Sequence, residues 1–170
     1  FDITNFKLKI IDLGNTEFAN EEKIQDEIMI RNYRPPENIM NDYFNEKSDI
    51  WCIGCIAFEL LTYDDLFELD EDTKNKNETY RDRLHLKQMF EILGKMPKNL
   101  IYNCDFNEDL FDNKCNILKM KNIEENSLEN ILIEEYEYSD ETTQEICTFL
   151  RKLLEYDINK RYSAKDAYND

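Results

Sequence analysis

The stretch "SDIWCIGCIAFELLT", residues 48–62, constrains this chain more than any other. It is apolar nearly all round, so a helix made of it must be surrounded by other elements. Ser48 or Asp49 is a natural N-cap for it. The elements that could surround it are amphipathic helices. "RLHLKQMFEILG" puts Leu86, Met89, Phe90 and Leu93 on one face, with Gly94 as a stop signal. "SLENILIEEY" and "ETTQEICTFLRKLLEY" follow, the second with Ile146, Phe149, Leu150, Leu153 and Leu154 as its stripe. "SAKDAYND" carries a capping-box pattern from Ser163 to Asp166. A strand pattern occurs only near the start, where Phe6, Leu8 and Ile10 alternate with Lys7 and Lys9 before Ile11. The expected fold is mainly α, with one or two short β-strands at the N-terminus. The segment 70–82, "DEDTKNKNETYRD", reads as a mobile polar loop.

Charge narrows the partners. A net charge of −17 on 170 residues argues against gripping a nucleic-acid backbone, which needs Lys and Arg, and favours basic partners. A solvated acidic surface is the plainer reading of most of these carboxylates. No apolar run approaches the ~20 residues a membrane span needs, and "FDITNF" lacks the regions of a signal peptide. Five scattered cysteines suit a reducing compartment, cytoplasm or nucleus. Cys52 and Cys55 imitate a redox or zinc motif, but they lie inside the apolar helix with no second ligand pair, where Cys is a small hydrophobe. The single His85 has no evident nucleophile or orienting partner and reads as a packing or capping residue.

Four landmarks occur in order: Asp12-Leu13-Gly14 after the strand pattern, then "NYRPPE" at 32–37, then "SDIWCIGC", then "DINKR" at 157–161. Alone, Asp12 and Gly14 are ordinary turn residues; equally, a strand end is a stiff support for a metal-holding carboxylate. The ordered set resembles the helical C-lobe of eukaryotic protein kinases, with Asp12-Leu13-Gly14 matching D-F-G and Pro36-Glu37 matching the end of A-P-E. The phrases "AFELLTYDDLFE" at 57–68, "YRDRLH" at 80–85, "EILGKMPKNLI" and "EYE" at 135–137 resemble the SR-protein kinases in particular. The match covers nearly all of residues 1–170, with 12–37 as the activation segment.

The resemblance implies roles. Asp12 would be the catalytic carboxylate that holds Mg²⁺ on the ATP phosphates, a hard oxygen for a hard cation. Glu37 and Arg161 would form a buried ion pair tying the activation segment to the helical body; two unrelated surface charges is the alternative. Asp49 would brace the catalytic loop, or simply cap its helix. Arg34 would shape the loop that receives substrate. Asp64 and Glu91 fall at acidic positions that dock Arg/Ser-rich substrates, where guanidinium groups pair with carboxylates. The match there is incomplete: Leu84 stands where an acid is expected, Asn126 for a tryptophan and Glu135 for a lysine. Nine Asp or Glu and no Lys or Arg between 124 and 145 keep the field negative. Thr16 and Tyr33 are the only hydroxyls from 12 to 37, so an activation segment that works without phosphorylation is expected.

Several kinase parts have no match. The three glycines are some forty residues apart, so there is no Gly-rich loop, and neither a V-A-I-K lysine nor an H-R-D loop is found. The sequence therefore reads as a C-lobe portion without the N-lobe and catalytic loop, expected to be inactive alone. The function implied for the whole protein is transfer of the ATP γ-phosphoryl to serine in Arg/Ser-rich proteins. The alternatives are a non-catalytic, pseudokinase-like acidic platform for Arg-rich segments, or a CDC-like kinase of the same branch.

Overall fold

A computed structural model describes residues 9–16, 29–40, 45–69 and 76–170. Among these residues the chain forms eight α-helices: α1 Pro36–Ile39, α2 Lys47–Thr62, α3 Glu78–Leu93, α4 Lys98–Asn103, α5 Asn107–Leu110, α6 Leu128–Glu134, α7 Asp140–Leu153 and α8 Ala164–Asn169. Short 3₁₀ turns occupy Leu13–Asn15 and Arg31–Tyr33. The strand expected over 6–11 lies partly outside the described residues, and 9–12 have no sheet partner among the described residues. Among the described residues the one β pairing is an isolated antiparallel bridge, Phe111 to Ile117.

One face of helix α2 is the centre of the core; the helix expected to be surrounded is covered on one side only among the described residues, with Ile53, Ile56, Leu60 and Leu61 exposed. Trp51, Cys55 and Phe58 on it are buried, and Trp51 stacks on Phe67 with ring centroids 6.0 Å apart. Helix α7 lies along α2, and α6 packs on α7. Gly54 permits this approach: a Cβ there would stand 2.9 Å from Leu154 Cγ and 3.1 Å from Leu153 Cβ. The apolar stripe of α7 is shifted from the expected one. Thr143, Cys147, Leu150 and Leu153 face the core, while Ile146 and Phe149 sit half-buried at its edges. Small side chains on the inner face let the two helices come close.

Helix ends follow local chemistry. Ser127, Ser139 and Ser163 cap α6, α7 and α8 through their hydroxyls, and Ser163 with Asp166 makes the expected capping box. Gly94 ends α3 at φ 87°, a left-handed step that glycine takes without steric cost. The Tyr156 hydroxyl then donates to the Met89 and Gly94 carbonyls, at 2.8 and 2.9 Å. Two expectations are corrected. Residues 78–82 are helical, not loop, because Asn77 caps α3 by accepting from Tyr80 N–H at 2.8 Å; 70–75 lie outside the described residues. Neither Ser48 nor Asp49 caps α2. The helix starts at Lys47, whose N–H donates to Asn45 Oδ1 at 2.8 Å, and the Ser48 hydroxyl is used elsewhere.

Candidate functional site

Glu37 and Arg161 are 124 residues apart in sequence and meet in the interior. Arg161 Nη1 donates to Glu37 Oε1 at 2.7 Å and Nη2 to Oε2 at 2.9 Å, the bidentate geometry in which guanidinium and carboxylate bond most strongly. Glu37 is 4% exposed and Arg161 1%. A buried pair of this kind needs further hydrogen bonds to take up its remaining capacity. Several are present here. Ser48 Oγ donates to Glu37 Oε1 at 2.7 Å, and Arg161 also donates to the Glu155 and Lys47 carbonyls at 2.9 and 3.1 Å. The guanidinium sits 5.1 Å from the Trp51 ring centroid. The pair therefore joins α1, the start of α2 and the segment before α8 at one point. Asp49 lies one residue beyond Ser48, with its side chain exposed and holding no hydrogen bond among the described residues.

The turn that precedes this joint is pinned from two sides. Arg31 is buried; its Nη1 donates to Asp82 at 2.7 Å and its Nη2 to Glu78, both on α3. Burial pushes the Asp82 carboxyl up, and the Arg31 hydrogen bond works against that rise. Tyr33 donates to Glu59 on α2 at 2.8 Å, a bond that, with partial burial, pushes its hydroxyl up to about 12. Asn32 Nδ2 reaches Asp65 at 2.6 Å, and Arg34 Nε donates to the Met29 carbonyl at 3.1 Å. Behind the turn stands His85, fully buried, its ring 5.1 Å from that of Phe67 and its two nitrogens without hydrogen-bond partners among the described residues. Burial, reinforced by the positive Arg31 and Arg34, depresses its pKa to about 3, so the ring is neutral. This agrees with a packing residue. Cys52 and Cys55 belong to the same region; burial pushes the Cys52 thiol up to about 12 and Cys55 well above its ordinary value, which disfavours the thiolate that metal or redox chemistry needs.

Asp12 stands apart from this joint. It takes the left-handed conformation, φ 60° and ψ 58°, and opens the Leu13–Asn15 turn. Asp tolerates that region because its short side chain is compact and polar. Gly14 does not take a left-handed φ; in this turn the left-handed step is made by the aspartate. Asp12 and its neighbours Ile10, Ile11 and Leu13 are exposed. Among the described residues no three His, Cys, Asp or Glu gather into a metal-holding group. A lone carboxylate fits one ligand position of Mg²⁺, which takes one or two carboxylates and completes its shell with phosphates and water.

The two expected docking acids are both in contact with the segment between α3 and α7. Asp64 Oδ2 accepts from the Tyr136 hydroxyl at 2.8 Å; burial and this bond push that hydroxyl up to about 12. Glu91 Oε1 accepts from Lys87 Nζ at 2.5 Å and from Glu124 N–H at 3.2 Å. Its backbone carbonyl accepts from Asn126 N–H at 2.9 Å, and Asn126 Nδ2 reaches Glu135 at 3.4 Å. Sequence reasoning missed Arg31, Glu78, Asp82, Lys87 and Tyr136. Lys87 and Glu91 have i, i+4 spacing within the helix already expected over 83–94, whereas Glu78 and Asp82 fall on one helical face only once the helix is known to begin at Glu78.

The protein kinase domain family matches residues 1–170. The serine/threonine-protein kinase spk-1 of Caenorhabditis briggsae is 35% identical over 161 residues, 94% of this chain and 14% of that protein. The serine/threonine-protein kinase SKY1 of Saccharomyces cerevisiae is 32% identical over 163 residues, 96% of this chain and 21% of that protein. The SRSF protein kinase 3 of Homo sapiens is 32% identical over 161 residues, 94% and 27% respectively. The chain thus spans between about a seventh and about a quarter of the length of these relatives.

Proposed function

This chain belongs to the protein-kinase family, close to the SR-protein kinases, and from that premise we propose that the whole protein phosphorylates serine in basic, Arg/Ser-rich proteins with Mg·ATP. The observation that carries the reading is the joint and latch just described. Glu37–Arg161 fixes the end of the 12–37 segment, and Arg31 fixes the preceding turn to α3. Arg31 is already satisfied by two carboxylates, so ordering this turn does not call for a phosphate to pair with it.

Asp12 is the residue proposed to hold Mg²⁺, which when bound neutralises charge developing on the transferred phosphoryl. Arg34, on the pinned turn, would shape the receiving loop. Asp49 would brace the catalytic loop from the first turn of α2, and Asp64 and Glu91 would face the basic substrate. A reducing compartment, cytoplasm or nucleus, suits the five free cysteines. Among the described residues no helix is long and apolar enough to cross a membrane. A platform that only sequesters Arg-rich segments would have no use for Asp12.

The test is a kinase assay on the full-length protein with an Arg/Ser-repeat substrate, before and after exhaustive dephosphorylation. The expected result is equal turnover. Loss of turnover that returns only on phosphorylation of Thr16 or Tyr33 would contradict the latch.

A further inference from the structure

The docking face carries a cation of its own. Lys87 Nζ lies 2.5 Å from Glu91 Oε1, with the two side chains only 23% and 18% exposed, and Glu124 N–H occupies the same oxygen. Glu91 is one of the two carboxylates matched to substrate docking. The position at which the resemblance predicts a lysine, 135, holds glutamate instead. The cation of this face is therefore supplied from α3, one turn before Glu91, and it is spent on the carboxylate that substrate arginines would seek.

We propose that Lys87 is a specificity-determining residue that occupies Glu91 as an intramolecular stand-in for a substrate's basic side chain; this rests on the docking reading given above. An incoming guanidinium must displace the Lys87 ammonium before it can pair with Glu91. The exchange is feasible because the bond is local and partly wet. A part-exposed i, i+4 pair is weak, and Lys preceding Glu is the less favourable order along a helix. It is nevertheless a tax on every substrate, and it falls more lightly on Arg-rich segments than on Lys-rich ones. Arginine replaces one bond by two parallel ones, whereas a substrate lysine offers only what Lys87 already supplies. Lys87 thus sharpens the preference for arginine over lysine while lowering affinity for both.

A double-mutant cycle on the full-length protein tests this, reading the affinity of a synthetic Arg-Ser repeat peptide by fluorescence anisotropy at several salt concentrations. Lys87→Met is expected to tighten binding by up to about fivefold, the range of a part-exposed pair, and to steepen its salt dependence. Lys87→Arg should bind the Arg-Ser repeat more weakly than the parent does, because an arginine at 87 already offers Glu91 the two parallel bonds. Glu91→Gln alone should weaken binding, and it should weaken it by a larger factor in the Lys87→Met background, where no ammonium competes for the carboxylate. A Lys-Ser repeat should gain more than the Arg-Ser repeat from Lys87→Met. A merely structural Lys87 would give the opposite sign, with Lys87→Met weakening binding. That result, or an unchanged affinity, overturns the proposal, as does an equal Glu91→Gln loss in both backgrounds. If the parent and every variant fail to bind the basic peptide, the docking reading itself falls, and this inference with it.

Discussion

Two ion pairs in this molecule have the same chemistry and opposite characters. Glu37–Arg161 is buried, bidentate and supported by Ser48 and two carbonyls, and it joins segments far apart in sequence. Lys87–Glu91 is local, single-pronged and partly wet. The first costs too much to desolvate to be useful except as a joint that is always made. The second is weak enough to be exchanged, which is what a surface that receives charged substrates requires. Burial, and not the identity of the residues, decides which role a pair can take.

The comparison is broken most forcefully at the buried joint. Arg161→Met strands a buried carboxylate and should cost about 3–5 kcal/mol of stability, read by chemical denaturation. Replacing Glu37 by Met as well should cost less than the two single changes added together, because no charge is then left unpaired. Equal and additive losses would mean that the pair is not the joint described. Gly54→Ala attacks the same core from another side, placing a methyl against Leu153 and Leu154. Overpacking should cost about 1–3 kcal/mol, offset by up to about 1 from improved helix propensity, leaving a net loss of thermal stability.

His85 sharpens the contrast through pH. Its pKa is about 3 in the fold against an ordinary 6.5, so the unfolded chain binds the proton first. Its contribution to stability is complete above about pH 6.5 and is lost as pH falls toward 3, by at most about 1.4 kcal/mol per unit. The charged groups acting on it are Arg31 and Arg34 from the pinned turn, and Arg31 is itself paired with Asp82 and Glu78. Between pH 5 and 6.5, where most carboxylates stay ionised, the parent should lose stability on acidification and His85→Phe should not. Parallel curves would show that the ring is not buried neutral. The smallest effect is expected at the exposed pair, where Lys87→Met should shift stability by about 0.2–1 kcal/mol.

The legibility of the sequence follows the same division. Helix α2 could be read as a helix from its apolar run, but its burial was overread: Trp51, Cys55 and Phe58 are buried while Ile53, Ile56, Leu60 and Leu61 are exposed. The serine caps and Gly94 could be read because a cap is a local bargain between neighbours in sequence. The Glu37–Arg161 contact was expected only through the family resemblance that the ordered motifs carry; nothing in the spacing of two residues 124 apart shows it. Ser48 was misread because the same hydroxyl can cap a helix or serve a carboxylate, and only the fold brings Glu37 within reach. Arg31 with Glu78 and Asp82 was invisible for a similar reason: 70–82 is polar throughout, and polarity alone does not distinguish a loop from the exposed first turns of a helix. At the candidate site, the residue type at Asp12 was readable while its left-handed backbone was not, because the neighbouring glycine offered the more obvious place for that step.

The most direct test of the central claim is phosphoryl transfer by the full-length protein to an Arg/Ser-repeat substrate, comparing the parent with Asp12→Asn. The substitution keeps size and turn propensity while removing the charge that would hold Mg²⁺. The account predicts that turnover falls by at least about a hundredfold while folding and peptide affinity are retained. Undiminished turnover in Asp12→Asn would contradict it.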